Sequence, residues 1–297
     1  MASTTPRPLE GKFGIVTGGS RGIGEAIARN LASKGCSLLL NYTSESSRAR
    51  TEELASTLIK DHSIGCSIVK ADLRDAATAS NIIIDASKKH FGDKPLQIDI
   101  LINNAGVSQD RKLADPAKGL IDAEYFHWHY DINVLAPLML TQACVPFLPH
   151  DRSGRIVNIS SVSSSLGFEG QSVYGGTKAA LEAMTRTWAR ELADRATVNA
   201  VNPGPVIGDM YFLTGEKFWK DLQGWQDNTP LSKVDPNGSE LESLDPEKTR
   251  LIHEKMGGRR PAFTSEIAGV VAMLCTADAG WSTGSVVNAN GGMRMTT

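Results

Sequence analysis

The sequence predicts a doubly wound α/β fold, a parallel sheet covered by helices on both faces in three layers. Two observations carry that prediction. Short runs rich in Ile, Val and Leu alternate with helical stretches along the chain. The runs are apolar almost throughout rather than alternating with polar residues, as strands buried on both faces are. Right-handed crossovers should connect them, and such sheets bind ligands beyond the carboxyl ends of their strands.

Taken in order, residues 12–17 read as the first strand, and a helix follows over 22–34. Residues 37–42 form the next strand, followed by a polar helix ending near Asp61. Further strands fall at 64–70, 98–103, 155–160 and 197–202, separated by helices near 76–91, 122–146 and 171–193. A helix over 265–275 precedes a last strand near 285–288. The stretch 211–261 breaks this rhythm. It is long, mixed in charge and contains Pro230, Pro236 and Pro246. It reads as a lid-like insertion within one domain spanning 1–297, since long loops in compact domains are functional or disordered. Its Phe212, Phe218, Trp219 and Trp225 either line an apolar pocket or pin the lid.

Composition narrows the classes. The 297 residues are 41% hydrophobic and 22% charged, enough for a sizeable core. A net charge of -2 gives no basic face for nucleic acid. No run reaches the roughly 20 apolar residues of a membrane span, and the first eleven residues have no apolar h-region. Cys36, Cys66, Cys144 and Cys275 are widely spaced, as in a reduced cytoplasmic protein. Of the glycosylation sequons at Asn41, Asn158 and Asn237, two lie in or beside strands, so none is expected to be modified. His127 and His129 are two apart, on different sides of a helix with no acidic or cysteine cluster, so no metal site is expected.

The chemistry begins at a turn. Thr17-Gly18-Gly19-Ser20-Arg21-Gly22-Ile23-Gly24 follows the first strand and opens the first helix. Gly18, Gly22 and Gly24 permit a tight turn that brings amides to a pyrophosphate. The second strand ends Asn41-Tyr42-Thr43-Ser44 with no acidic residue before Glu45. An acid there would hold the 2′-hydroxyl of NAD. Arg21 is placed to pair with a 2′-phosphate instead, which favours NADP(H). Tyr174 and Lys178 lie four apart, on one helix face. A cation beside a phenol favours the phenolate, making a proton donor and acceptor usable near neutrality.

Together these motifs closely resemble the short-chain dehydrogenase/reductase family, and within it ketoreductases of the 3-oxoacyl carrier-protein and fungal polyketide types. Besides the glycine turn, the resemblance rests on Ala71-Asp72-Leu73, Asn103-Asn104-Ala105-Gly106, Asn133, Ser161, the Tyr174/Lys178 pair and Asn202-Pro203-Gly204-Pro205. It implies a Rossmann-type domain and a ketone–alcohol oxidoreductase of secondary, fatty-acid or polyketide metabolism. Tyr174 would be the general acid or base, and Lys178 would lower its pKa and bind ribose. Ser161, rather than Ser160, would hold the substrate oxygen, and Asn133 would hold a proton-relay water. Asp72 and Leu73 would meet adenine; Asn104, Ala105 and Gly106 would lie by the ribose; Pro203, Gly204 and Val206 would lie by the nicotinamide. Ser20, Ile23, Thr43 and Ser44 complete the expected cofactor contacts. Gly208 stands where family members often carry Thr. A homodimer or homotetramer is implied, built through the helices near 122–146 and 171–193. A non-redox isomerase, dehydratase or cyclase on the same fold, and a non-catalytic NADP-binding scaffold, stand as alternatives.

Overall fold

A computed structural model describes residues 7–208, 211–212, 215–235 and 238–295. Its sheet has seven strands: β1 (Phe13–Val16), β2 (Ser37–Tyr42), β3 (Cys66–Lys70), β4 (Ile100–Asn103), β5 (Gly154–Ile159), β6 (Ala196–Pro203) and β7 (Val286–Ala289). Their order is β3-β2-β1-β4-β5-β6-β7. Every pairing is parallel. The order reverses between β1 and β4, and a cleft opens beyond the strand ends at such a point.

The apolar runs serve two cores because side chains alternate across a strand. Val16, Leu38, Leu40, Ile100 and Ile102 face one core, and Ile15, Leu39 and Leu101 face the other. Helices α1 (Gly22–Ser33), α2 (Arg48–His62) and α10 (Thr264–Cys275) cover the first. Helices α3 (Ala76–Phe91), α5 (Ala136–Cys144) and α7 (Ser172–Glu191) cover the second. Asn41 and Asn158 are fully buried, which removes two of the three sequons as acceptors; Asn237 lies outside the described residues.

Two expectations change. The helix expected over 122–146 is interrupted. After α4 (Ala123–Tyr130), residues Asp131–Leu135 form a π-helical turn before α5. Pro137 supplies the reason: it lacks the N–H that would bond the Asn133 carbonyl in a continuous α-helix.

The 211–261 stretch is also more ordered than a loop. It contains α8 (Gly215–Asp227) and α9 (Pro246–Lys255), and it leaves and rejoins the domain through a parallel bridge between Val206 and Ala262. Trp219, Leu222, Leu241, Ile252 and Met256 build a third small core with Phe212 and Phe218 packed on it. Most of its aromatic residues therefore fix the insertion itself. Trp219 donates its indole N–H to the Tyr211 carbonyl at 3.1 Å. Trp225 meets Phe168 edge-on, with ring centroids 5.3 Å apart.

Candidate active site

The glycine turn sits at the sheet's switch point. Gly18 and Gly22 have φ of 61° and 59°, a region that favours glycine. A Cβ at Gly24 would lie 2.2 Å from the Gly18 carbonyl oxygen, so only glycine fits. Asn104 donates its amide to the carbonyls of Thr17 (2.9 Å) and Gly18 (3.2 Å). Thr17 Oγ1 in turn accepts from the backbone of Asn104 and Ala105. Asn104 therefore shapes the turn with its side chain. No side chain caps the start of α1, so the first-turn amides are free to face an anion.

Beyond this turn lies a cleft of about 1310 Å³. Its walls include Gly18, Ser20, Arg21, Gly22, Ile23 and Gly24 from the turn, and Thr43 and Ser44 after β2. Asp72 and Leu73 after β3, Asn104, Ala105 and Gly106 after β4, and Val206 after β6 also line it. Pro203 and Gly204 lie off it; the Pro203 carbonyl accepts from Val162, and Gly204 is close against Asn290. The size and the exposed amides fit a dinucleotide.

Three features of the cleft were not foreseen. Arg50 lines it near Ser44 and, like Arg21, is exposed with no ion-pair partner among the described residues. Trp128 lines it from α4. Asp72 is engaged by Arg74 through two Nε contacts of 3.1 and 2.9 Å, which hold its carboxyl below the usual range.

Tyr174, Lys178, Ser161 and Asn133 are not among the residues lining this cleft, but Lys178 and Asn133 lie directly behind its Gly106 wall. A Cβ at Gly106 would sit 3.3 Å from Lys178 Nζ and 3.2 Å from Asn133 Oδ1, so cation and amide flank one point on its wall. Lys178 is buried and donates to the Ile159 carbonyl at 2.8 Å. Burial lowers its pKa to about 8, and Glu182, one turn on, works against that. The Lys178 Nζ lies 5.8 Å from the Tyr174 ring centroid. The phenol is moved by other groups: burial pushes its pKa up, a hydrogen bond with Ser161 pulls it down, and the Asp110 charge raises it.

Ser160 and Ser161 are clearly separated in role. Ser160 is buried and donates to Glu182 Oε1 at 2.6 Å. Ser164 Oγ (2.8 Å) and Asn202 Nδ2 (3.0 Å) donate to the same oxygen. Asn202 Nδ2 also holds the Ser161 carbonyl at 2.9 Å. Glu182 thus fastens the serine loop to the helix that carries Tyr174 and Lys178. Sequence reading passed over it, although its i+4 spacing from Lys178 was visible.

Asn133 is fully buried in the π-turn. Its Oδ1 accepts from Val107 N at 2.8 Å, and its Nδ2 donates to the Val107 carbonyl (2.9 Å) and Thr177 Oγ1 (3.1 Å). The side chain is committed to structure, and the main-chain oxygen is the atom that Pro137 leaves without an α-helical donor. His129 is a core residue: Gln109 N donates to its Nε2 at 3.1 Å, and its Nδ1 lies 2.8 Å from the Tyr125 carbonyl. No group of three metal-ligating side chains occurs among the described residues. None of their helices is long and apolar enough to cross a membrane.

The family model for short chain dehydrogenase matches residues 12–216. Among curated proteins the chain is 71% identical to an L-xylulose reductase of Aspergillus niger, covering 98% of this chain and 99% of that one. It is 56% identical to an L-xylo-3-hexulose reductase of Hypocrea jecorina, covering 97% and 98%. Among solved structures, a blue fluorescent protein from a metagenomic library in complex with NADPH superposes with a TM-score of 0.73 at 29% identity, covering 97% and 100%. The chain belongs to the short-chain dehydrogenase family and is a ketone–alcohol oxidoreductase.

Proposed function

We propose that the protein is an NADPH-dependent reductase of a short neutral ketose such as L-xylulose. The observation that carries this reading is 71% identity, over nearly the full length of both chains, to an L-xylulose reductase. NADPH held in the cleft would supply the hydride for the substrate's carbonyl carbon. Tyr174 then protonates the carbonyl oxygen, and its raised pKa keeps the phenol loaded with that proton at neutral pH. Ser161 steadies the same oxygen from the loop that Glu182 holds. Lys178 acts as an ammonium at the cleft wall, where it binds ribose hydroxyls and passes a proton inward. The main-chain oxygen of Asn133 holds the water that links Lys178 to solvent.

Selection of NADPH falls to Arg21 and Arg50. Both are unpaired cations at a wall where the strand end offers Thr43 and Ser44 and no carboxylate. The α8–α9 insertion serves as a lid on the substrate side, and cytoplasmic homo-oligomers are the expected setting. Binding titrations with both cofactors test the selection. Arg21→Ala and Arg50→Ala should each weaken NADPH at least about tenfold, the loss of one charge-assisted contact, and leave NADH nearly unchanged. Equal losses for both cofactors would reject the assignment.

A further inference from the structure

We infer that Asp110, Gln171 and Ser163 form a rail that recognises the substrate's hydroxyl groups beyond its reacting carbonyl. The inference rests on the ketose reading and adds the residues that carry it. Ser161 Oγ donates to Ser163 Oγ at 3.1 Å, and turns that proton to the carbonyl oxygen when substrate arrives. Ser163 Oγ donates to Gln171 Oε1 at 2.6 Å. Gln171 Nε2 donates to Asp110 Oδ1 at 3.1 Å. The line runs from the reaction centre to a half-buried carboxylate.

Its polarity is set from the far end. An ionised carboxylate only accepts, so Gln171 must turn its NH2 to Asp110 and its carbonyl to Ser163. The Ser163 proton is then committed to Gln171, which leaves Ser163 Oγ an acceptor for Ser161 or, once Ser161 has turned to the carbonyl, for a substrate hydroxyl. The two segments that carry the rail are also locked together. Arg111 N donates to the Gly170 carbonyl at 2.8 Å, and Lys118 Nζ donates to the Asp110 main-chain carbonyl at 2.7 Å. Gly170 has φ of 80°, and a Cβ there would sit 3.3 Å from Asp110 Cβ. The Asp110 charge also raises the Tyr174 pKa, so the far end of the rail is coupled electrostatically to the phenol.

Asp110 is not used up by the protein. Its Oδ2 has no hydrogen bond, and its carboxylate has no ion-pair partner, among the described residues. A free acceptor beside two hydroxyls and an amide suits neighbouring hydroxyls on a neutral carbon chain. The same charge repels an anionic ketone. Phe168, whose carbonyl accepts from Gln171 N, carries Trp225 of the lid on its edge, an apolar wall next to the polar line.

The test compares the parent with Asp110→Asn and Gln171→Leu, using NADPH with L-xylulose and with an unhydroxylated pentanone. Both variants should raise KM for L-xylulose about tenfold or more, the loss of a hydrogen bond to a charged or buried group. They should change kcat by less than about threefold and leave NADPH affinity and pentanone kcat/KM as in the parent. If the parent turns over pentanone too slowly to measure, the split between KM and kcat on L-xylulose decides alone. An unchanged KM for L-xylulose in both variants overturns the rail while leaving the ketose reading intact. Equal losses on both ketones also overturn it, because the residues would then only shape the site. A parent that reduces no ketose overturns the proposed function and the rail with it.

Discussion

Glu182 offers a quantitative handle on the acid–base centre. Glu182→Gln keeps an acceptor oxygen for Ser160, Ser164 and Asn202 and removes only the charge. Lys178 and Glu182 are i, i+4 neighbours on α7, a spacing that leaves their charged ends on the order of 5–10 Å apart. At an effective dielectric of about 20, their attraction is about 2 kcal/mol. That corresponds to about one to two pH units, since one unit is about 1.4 kcal/mol. Lys178 titrates at about 8 in the parent, with Glu182 opposing the effect of burial. Removing the charge lowers that value further, so the ammonium is lost at lower pH. The alkaline limb of kcat/KM should therefore move down by about one to two units, with activity at pH ~8 falling about 5- to 50-fold. Tyr174 titrates above its ordinary value because of burial, so its proton is not what fades first. The assay is a pH–rate profile of NADPH oxidation, with thermal melts as a check on folding. A limb that stays within about 0.3 unit of the parent in a folded variant would refute the coupling.

Two further changes probe the cofactor cleft. Gly208 lines the cleft, and a Cβ there would have no neighbour within 4 Å. Gly208→Thr should therefore fold normally and tighten NADPH binding by up to about tenfold through one added hydroxyl contact, measured by fluorescence titration. Gly24→Ala should do the opposite. Its methyl would collide with the Gly18 backbone, so cofactor affinity should drop by more than about tenfold and the melting temperature should fall; an unaltered titration would contradict the turn's proposed geometry.

The fold was legible because its signals were local and repeated. Most strands carry short runs of Ile, Val and Leu, and each crossover is long enough to read as a helix. The glycine turn was equally clear, since Gly24 meets a backbone that tolerates nothing larger. Legibility failed where a single residue acts through something distant in sequence. Pro137 changes the Asn133 turn, but it does not break the apolar pattern that made 122–146 look continuous. Glu182, Gln171 and Asp110 matter only because the fold brings them to the Ser160–Ser164 loop. The insertion hid its helices behind mixed charge and prolines, since its small core is spread over widely separated aromatic and aliphatic residues. Motifs alone pointed to acyl-carrier and polyketide ketoreductases. They report hydride chemistry common to many substrates, and the sugar-directed reading came from similarity along the whole chain.

The most direct test of Tyr174 as the acid for ketone reduction is the rate of NADPH oxidation with L-xylulose, comparing parent and Tyr174→Phe at neutral pH. General acid–base catalysis contributes about 10²–10⁴-fold. The variant should therefore bind NADPH within about twofold of the parent and lose at least about a hundredfold in kcat. A variant that binds NADPH and reduces L-xylulose at the parent's rate would contradict the account.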